Sequence, residues 1–118
     1  MSKYIGKLTI RGFKSIRVLD KFPLHSLNVL IGANGAGKSN FVSYFRMLGE
    51  LVEGRLQHWT RNQGSADRIV SLGIKETNKL ESFIEFGLNG YQFVLEPTLD
   101  GGFSFTNESL YFDGPYFG

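Results

Sequence analysis

Cysteine is absent from the 118 residues. Its absence excludes a disulfide framework and a thiolate metal site, and it is compatible with a reducing, cytoplasmic setting. Charge of one sign is also lacking. Thirteen Lys and Arg face eleven Asp and Glu, a net +2, which by itself argues for neither nucleic acid nor a membrane surface. No apolar run approaches the roughly 20 residues of a membrane-spanning helix. The opening Met1-Ser2-Lys3-Tyr4-Ile5-Gly6 lacks the apolar core of a signal peptide. Internal repeats and low-complexity segments are missing too.

What the chain does have is glycine, phenylalanine and an ordinary globular balance of apolar (42%) and charged (20%) residues. Its length suits one small domain or part of a larger one. The most informative stretch is Leu27-Asn28-Val29-Leu30-Ile31-Gly32-Ala33-Asn34-Gly35-Ala36-Gly37-Lys38-Ser39-Asn40-Phe41. From Gly32 to Ser39 it matches G-x-x-x-x-G-K-[ST], the Walker A phosphate loop. A short apolar run, Leu27 to Ile31, precedes the motif as a strand, and helical spacing follows Lys38. Each residue type has a reason. Gly32, Gly35 and Gly37 let phosphate approach bare backbone N–H groups, and Ala33 and Ala36 add little bulk. The free donors and partial positive charge of the helix start favour an anion. Lys38 can reach the β- and γ-phosphates of ATP, and the Ser39 hydroxyl can ligate Mg²⁺. The competing reading is a glycine-rich strand-to-helix turn with an accidental Lys-Ser; the intact flanks disfavour it.

In chain order, Ile5 to Ile10 reads as a strand, Arg11 to Ser15 as a turn, and Ile16 to Phe22 as a second, antiparallel strand ended by Pro23. The helix is expected from Gly37 or Lys38, with an apolar stripe of Phe41, Val42, Phe45, Leu48, Leu51 and Val52 and a break near Gly49 or Gly54. Arg55 to Gln63 continues helically through Leu56 and Trp59, capped by Gly64. Ile69 to Ile74 reads as a strand or extended run. Leu80 to Leu88 alternates, Asn89-Gly90 predicts a hairpin turn, and Tyr91 to Glu96 returns with Tyr91, Phe93 and Leu95 on one face. Asp100-Gly101-Gly102 makes another turn, before two strands at Phe103 to Phe105 and Leu110 to Phe112. The second half is thus an antiparallel meander. The aromatics Tyr116 and Phe117 near the end need cover, so the chain reads as the front part of a longer protein.

The segment Leu8-Thr9-Ile10-Arg11-Gly12-Phe13-Lys14-Ser15, followed by the phosphate loop with Asn34 and Ser39-Asn40, resembles the start of SMC/RecF-like ATPases. The run from Gly64 to Phe86, with Asn89-Gly90-Tyr91 and Glu108-Ser109-Leu110-Tyr111, extends the likeness over nearly the whole chain. The resemblance implies an α/β (α+β) P-loop NTPase fold: the N-terminal lobe of an ABC-type ATPase head, with antiparallel β-strands around one main helix. Residues 1–118 would then be the N-terminal part of a P-loop ATPase domain, truncated before the C-terminal lobe. In that family ATP is sandwiched between two heads, so head dimerisation and hydrolysis belong to the whole protein. By the same resemblance, the backbone from Asn34 to Asn40 wraps the phosphates and Lys38 is the catalytic cation. Lys14 and Ser15 would lie near the nucleotide; for Lys14 a solvated turn lysine is the open alternative.

Several family features are missing. No apolar strand ends in the Asp-Glu pair that holds Mg²⁺ and activates water. Val94-Leu95-Glu96 comes nearest, but Pro97 and the hairpin setting make it a strand edge. A Leu-Ser-Gly-Gly-type signature and a switch histidine are also absent from the sequence. The chain as given is therefore expected to carry half a catalytic site. Two other functions are weighed: a non-hydrolytic nucleotide-sensing or assembly module, and a P-loop small-molecule kinase. The antiparallel meander disfavours the kinase, because kinases alternate strands with helices. His25 and His58 lack a carboxylate pattern for metal. Arg55, Arg61 and Arg68 around Trp59 read as a solvated face before they read as a nucleic-acid contact. Glu81 and Glu85 read as a polar outer sheet face, and Phe83 beside them hints at partial cover by the missing lobe.

Overall fold

The computed structural model describes residues 6–24 and 35–112; the side chains of residues 35–38 and 112 lie outside that description. Among the described residues the elements are β1 (Gly6–Phe13), β2 (Ile16–Pro23), α1 (Gly35–Val52), α2 (Leu56–Asn62), α3 (Ala66–Ile69), β3 (Leu80–Phe86), β4 (Asn89–Pro97) and β5 (Phe103–Phe112). The strands form one sheet in the order β2-β1-β3-β4-β5, with every neighbouring pair antiparallel. This is a mixed α/β architecture with an antiparallel sheet, and the meander expected for the second half is present. The strand expected over 27–31 lies outside the described residues.

Alternation decides which sheet face is buried. Leu8 and Ile10 of β1, Leu80 and Ile84 of β3, and Phe93 and Leu95 of β4 join one core with Phe41, Tyr44 and Met47 of α1. Leu56 and Trp59 of α2 and Ile69 of α3 complete it. The α1 stripe is therefore rotated from the one expected. Phe41 is buried as anticipated and Leu48 and Leu51 pack against the core, but Val42, Phe45 and Val52 are exposed. The buried axis instead runs through Tyr44 and Met47. A polar-looking tyrosine enters the core because Ser82 meets its hydroxyl there.

Other boundaries shift for local reasons. α1 begins at Gly35, two residues before Gly37, and Gly49 leaves it unbroken. Gly54, with φ 78°, follows its end. β1 runs through to Phe13, leaving only Lys14 and Ser15 as the turn. Ile69 to Ile74 is not a strand: Ile69 closes the short α3, and Val70 makes a single bridge to Phe13. β5 is one continuous strand where two were expected, its register shift opposite Val94/Leu95 absorbing the polar middle.

The β3–β4 turn falls at Gly87-Leu88, and Asn89-Gly90 is already paired strand. Gly87 takes the positive φ of 59°, the first-position glycine of a two-residue hairpin. Gly90 has a different use. A Cβ there would lie 2.8 Å from the Phe83 ring, so its missing side chain makes room for that ring.

Gly12 combines both demands, with φ 85° and a hypothetical Cβ only 2.4 Å from the Lys79 carbonyl oxygen. Gly12→Ala is expected to lower stability by at least about 1–2 kcal/mol from the left-handed conformation alone, more from the backbone clash. Urea denaturation of the two proteins measures this, and equal midpoints would contradict the placement of β1.

Candidate nucleotide-binding site

The phosphate-loop residues Gly32, Ala33 and Asn34 lie outside the described residues. Gly35, Ala36, Gly37 and Lys38 form the opening of α1, and Ser39 and Asn40 follow in the same helix. The first turn of a helix leaves N–H donors without intrahelical partners, and no acidic residue occupies that turn of α1. Its partial positive charge thus meets no carboxylate from its own turn. Ser39 is exposed and Asn40 half-buried.

The structure brings the two looser candidates to the same helix. The β1–β2 turn packs on the first half of α1, where the Asn40 side-chain amide donates to the Ser15 hydroxyl. Lys14 adopts φ 48°, and its backbone is held on both sides. Its N–H donates to the Ile69 carbonyl at 2.6 Å, and its carbonyl accepts from Ser71 Oγ at 2.5 Å. The side chain is not freely solvated. Its ammonium donates to Ser43 Oγ and to Gln63 Oε1, each at 3.3 Å, and lies 5.8 Å from the centre of the Phe13 ring. Partial burial lowers its pKa below the usual lysine value. None of the ion pairs among the described residues includes Lys14.

A cleft of about 810 Å³ opens between α1 and α2. Ser39, Ser43, Arg46, Trp59, Asn62 and Gln63 are among its lining residues. Ser39 and Ser43 stand four residues apart, one above the other on the same helix face. Sequence reasoning missed Ser43 and Gln63. The i, i+4 relation to Ser39 signals the first; nothing local signals the second, which reaches the site because α2 folds back beside α1.

Beneath this surface Tyr44 anchors the helix. Its hydroxyl pairs with Ser82 Oγ, and Ser82 also donates to the Thr9 carbonyl at 3.1 Å. Of the other weighed residues, Trp59 lines the cleft from the core, whereas Arg55, Arg61, Arg68, His58, Glu81 and Glu85 do not line it. Arg55 is paired with Glu50, Nε to Oε1 at 2.9 Å, and Trp59 is 8% exposed and part of the core. His58 faces Asn62 at 3.2 Å, and His25 lies outside the described residues. Glu81 and Glu85 are half-buried on the outer face of β3. The cover anticipated for Phe83 comes from within the chain, since the Tyr111 ring of β5 lies 5.7 Å away. Among the described residues no group of three or more His, Cys, Asp or Glu side chains is placed to hold a metal ion.

A Walker A sequence whose last residues open an anion-favouring helix, together with an antiparallel sheet, defines the class: a P-loop protein of mixed α/β architecture. The chain belongs to the family described as "AAA domain, putative AbiEii toxin, Type IV TA system", whose model matches residues 27–114. Among curated proteins it is similar to structural maintenance of chromosomes protein 3 of Saccharomyces cerevisiae, 35% identical over 79 residues, covering 61% of this chain and 6% of that protein. It is also similar to urease accessory protein 2 of Cryptococcus neoformans var. grubii, 36% identical over 86 residues, covering 70% of this chain and 6% of that protein. The chain thus spans only a small part of the length of these relatives. No solved structure matches it. The family and the first relative bear out the likeness to SMC-like P-loop ATPases. Among the described residues no helix is long and apolar enough to cross a membrane.

Burial, opposed in part by the Ser82 hydrogen bond, pushes the Tyr44 hydroxyl up to about 12 from 10.0. The folded state therefore keeps this proton where the unfolded chain loses it. The resulting stability is complete below pH 10 and is lost as pH rises through the folded value. The expected loss between pH 10 and 12 is roughly 2–3 kcal/mol. Tyr44→Phe should flatten that part of the alkaline stability curve, measured by urea denaturation at stepped pH. It should also cost about 1 kcal/mol at pH 7 through the lost hydrogen bond.

Proposed function

We propose that this chain binds ATP through the loop from Gly32 to Asn40, as the N-terminal lobe of an ABC-type ATPase head in a longer SMC/RecF-like protein. The observation carrying this reading is the helix start. The Walker A glycines run directly into α1, whose first turn contains no acidic side chain. The hairpin tip docks on the same helix further along, Ser15 at Asn40 and Lys14 at Ser43.

In this reading Lys38 holds the β- and γ-phosphates, and backbone N–H groups of residues 34 to 40 surround the phosphate tail. Lys14 and Ser15 lie on the flank of the nucleotide. The Ser39 hydroxyl is exposed and is the donor in this chain suited to Mg²⁺, whose remaining ligands would be phosphate oxygens and water. The bound ion would neutralise charge on the phosphates during transfer to water. The Asp-Glu pair and the signature motif would come from the C-terminal lobe and a second head, so hydrolysis belongs to the paired, complete protein. A cytoplasmic location agrees with the cysteine-free sequence. Nucleic acid is a candidate partner of the complete protein only.

Lys38→Ala is expected to reduce ATP affinity of the full-length protein at least tenfold, the equivalent of about 1.4 kcal/mol; isothermal titration calorimetry reads it, and unchanged affinity contradicts the phosphate-loop assignment. The 118-residue chain alone should release phosphate from ATP no faster than its Lys38→Ala variant. Clear turnover above the variant would mean that this chain holds its own catalytic acid and would overturn the half-site reading.

A further inference from the structure

Lys14 carries a positive charge into a partly buried place where its hydrogen-bond partners are both neutral. Ser43 Oγ of α1 and Gln63 Oε1 at the end of α2 each accept from its ammonium at 3.3 Å. No carboxylate among the described residues forms an ion pair with it. The backbone beneath it is fixed by hydrogen bonds on both sides, in a conformation that L-residues seldom adopt. Two separate elements, α1 and α2, thus converge on one ammonium, and they leave its charge uncompensated beside the helix that carries Ser39. Ser43 also lines the α1–α2 cleft one helical turn beyond Ser39.

We propose that Ser43 and Gln63 are positioning residues for nucleotide binding, which hold the Lys14 ammonium ready for the anionic phosphates. The inference rests on the ATP-binding reading above and adds α2 to the machinery. A lysine side chain has many rotamers, and confining it before the ligand arrives lowers the entropy lost on binding. Neutral acceptors suit that task. A carboxylate at either position would neutralise the ammonium and compete with phosphate, whereas a hydroxyl and an amide hold it without cancelling its charge. Gln63 further ties the placement of α2 to the presence of the ligand, because α2 and the nucleotide share one cation.

The test is a double-mutant cycle on ATP affinity in the full-length protein, read by calorimetry. Ser43→Ala and Gln63→Leu are each expected to weaken binding three- to tenfold. Alanine is the better helix former, so a loss of affinity in Ser43→Ala does not arise from a weakened α1. The decisive arm uses Lys14→Met as background: there both substitutions should change affinity by less than twofold, because the group they position is gone. Equal losses with and without Lys14 would show that the two residues act structurally and would overturn the proposal. So would unchanged affinity in both single variants. If wild-type protein binds ATP and Lys38→Ala does not, such results reject the positioning roles alone. If wild type does not bind ATP, the phosphate-loop reading fails and the positioning roles fail with it.

Discussion

The seating of α1 on the sheet is the constraint from which the rest follows. Phe41, Tyr44 and Met47 recur every three residues and enter the core. Apolar packing alone is non-directional and would tolerate some rotation of the helix. The hydroxyl pair between Tyr44 and Ser82 is directional, and Ser82 is itself tied to the Thr9 carbonyl of β1. An edge-on contact of the Tyr44 and Phe13 rings, with centroids 5.8 Å apart, adds a second fixed relation between helix and β1. Together they set which face of α1 points outward, and so where Ser39 and Ser43 emerge.

The same anchoring explains why a strained turn is stable. Lys14 at φ 48° costs about 1–2 kcal/mol in backbone conformation. Hydrogen bonds to Ile69 and Ser71 hold its backbone, and Asn40 holds the next residue, Ser15. The connection between α3 and β3 thus serves as a brace for the hairpin tip. Without that brace, the tip would be a surface turn with a mobile lysine, the alternative the sequence left open. The family match over residues 27–114 begins after this hairpin. The geometry around Lys14 is therefore an observation separate from the family assignment.

Much of the architecture was legible locally. The alternation of Leu80, Ser82 and Ile84 and of Tyr91, Phe93 and Leu95 marked strands whose inward faces match the observed core, while Phe86 and Leu88, on the same alternation, are exposed. Leu56 and Trp59 were placed correctly on a short helix. Errors came where two local rules competed. Asn89-Gly90 carries the strongest hairpin signal, yet Gly87 takes the turn, because Gly90 is needed where the Phe83 ring crosses the backbone. Ile69 to Ile74 is rich in residues that favour strands, but Ala66 to Ile69 closes a helical turn that buries Ala66 and Ile69. The α1 stripe was misjudged because tyrosine and methionine score below phenylalanine and valine in apolarity, and the partner Ser82 is 38 residues away.

By itself the sequence determined the motif, the P-loop family and the strand-rich meander, since these depend on residue type and spacing along the chain. Glycines at fixed offsets before Lys38-Ser39 leave backbone N–H groups uncovered by side chains whatever lies around them. Tertiary structure alone decided that Lys14 is held, by which groups, and that α2 shares in holding it. Ser43 and Gln63 lie 29 and 49 residues from Lys14. No periodicity spans such separations; contact between them exists only once α1 is seated on the sheet and α2 has folded back along it.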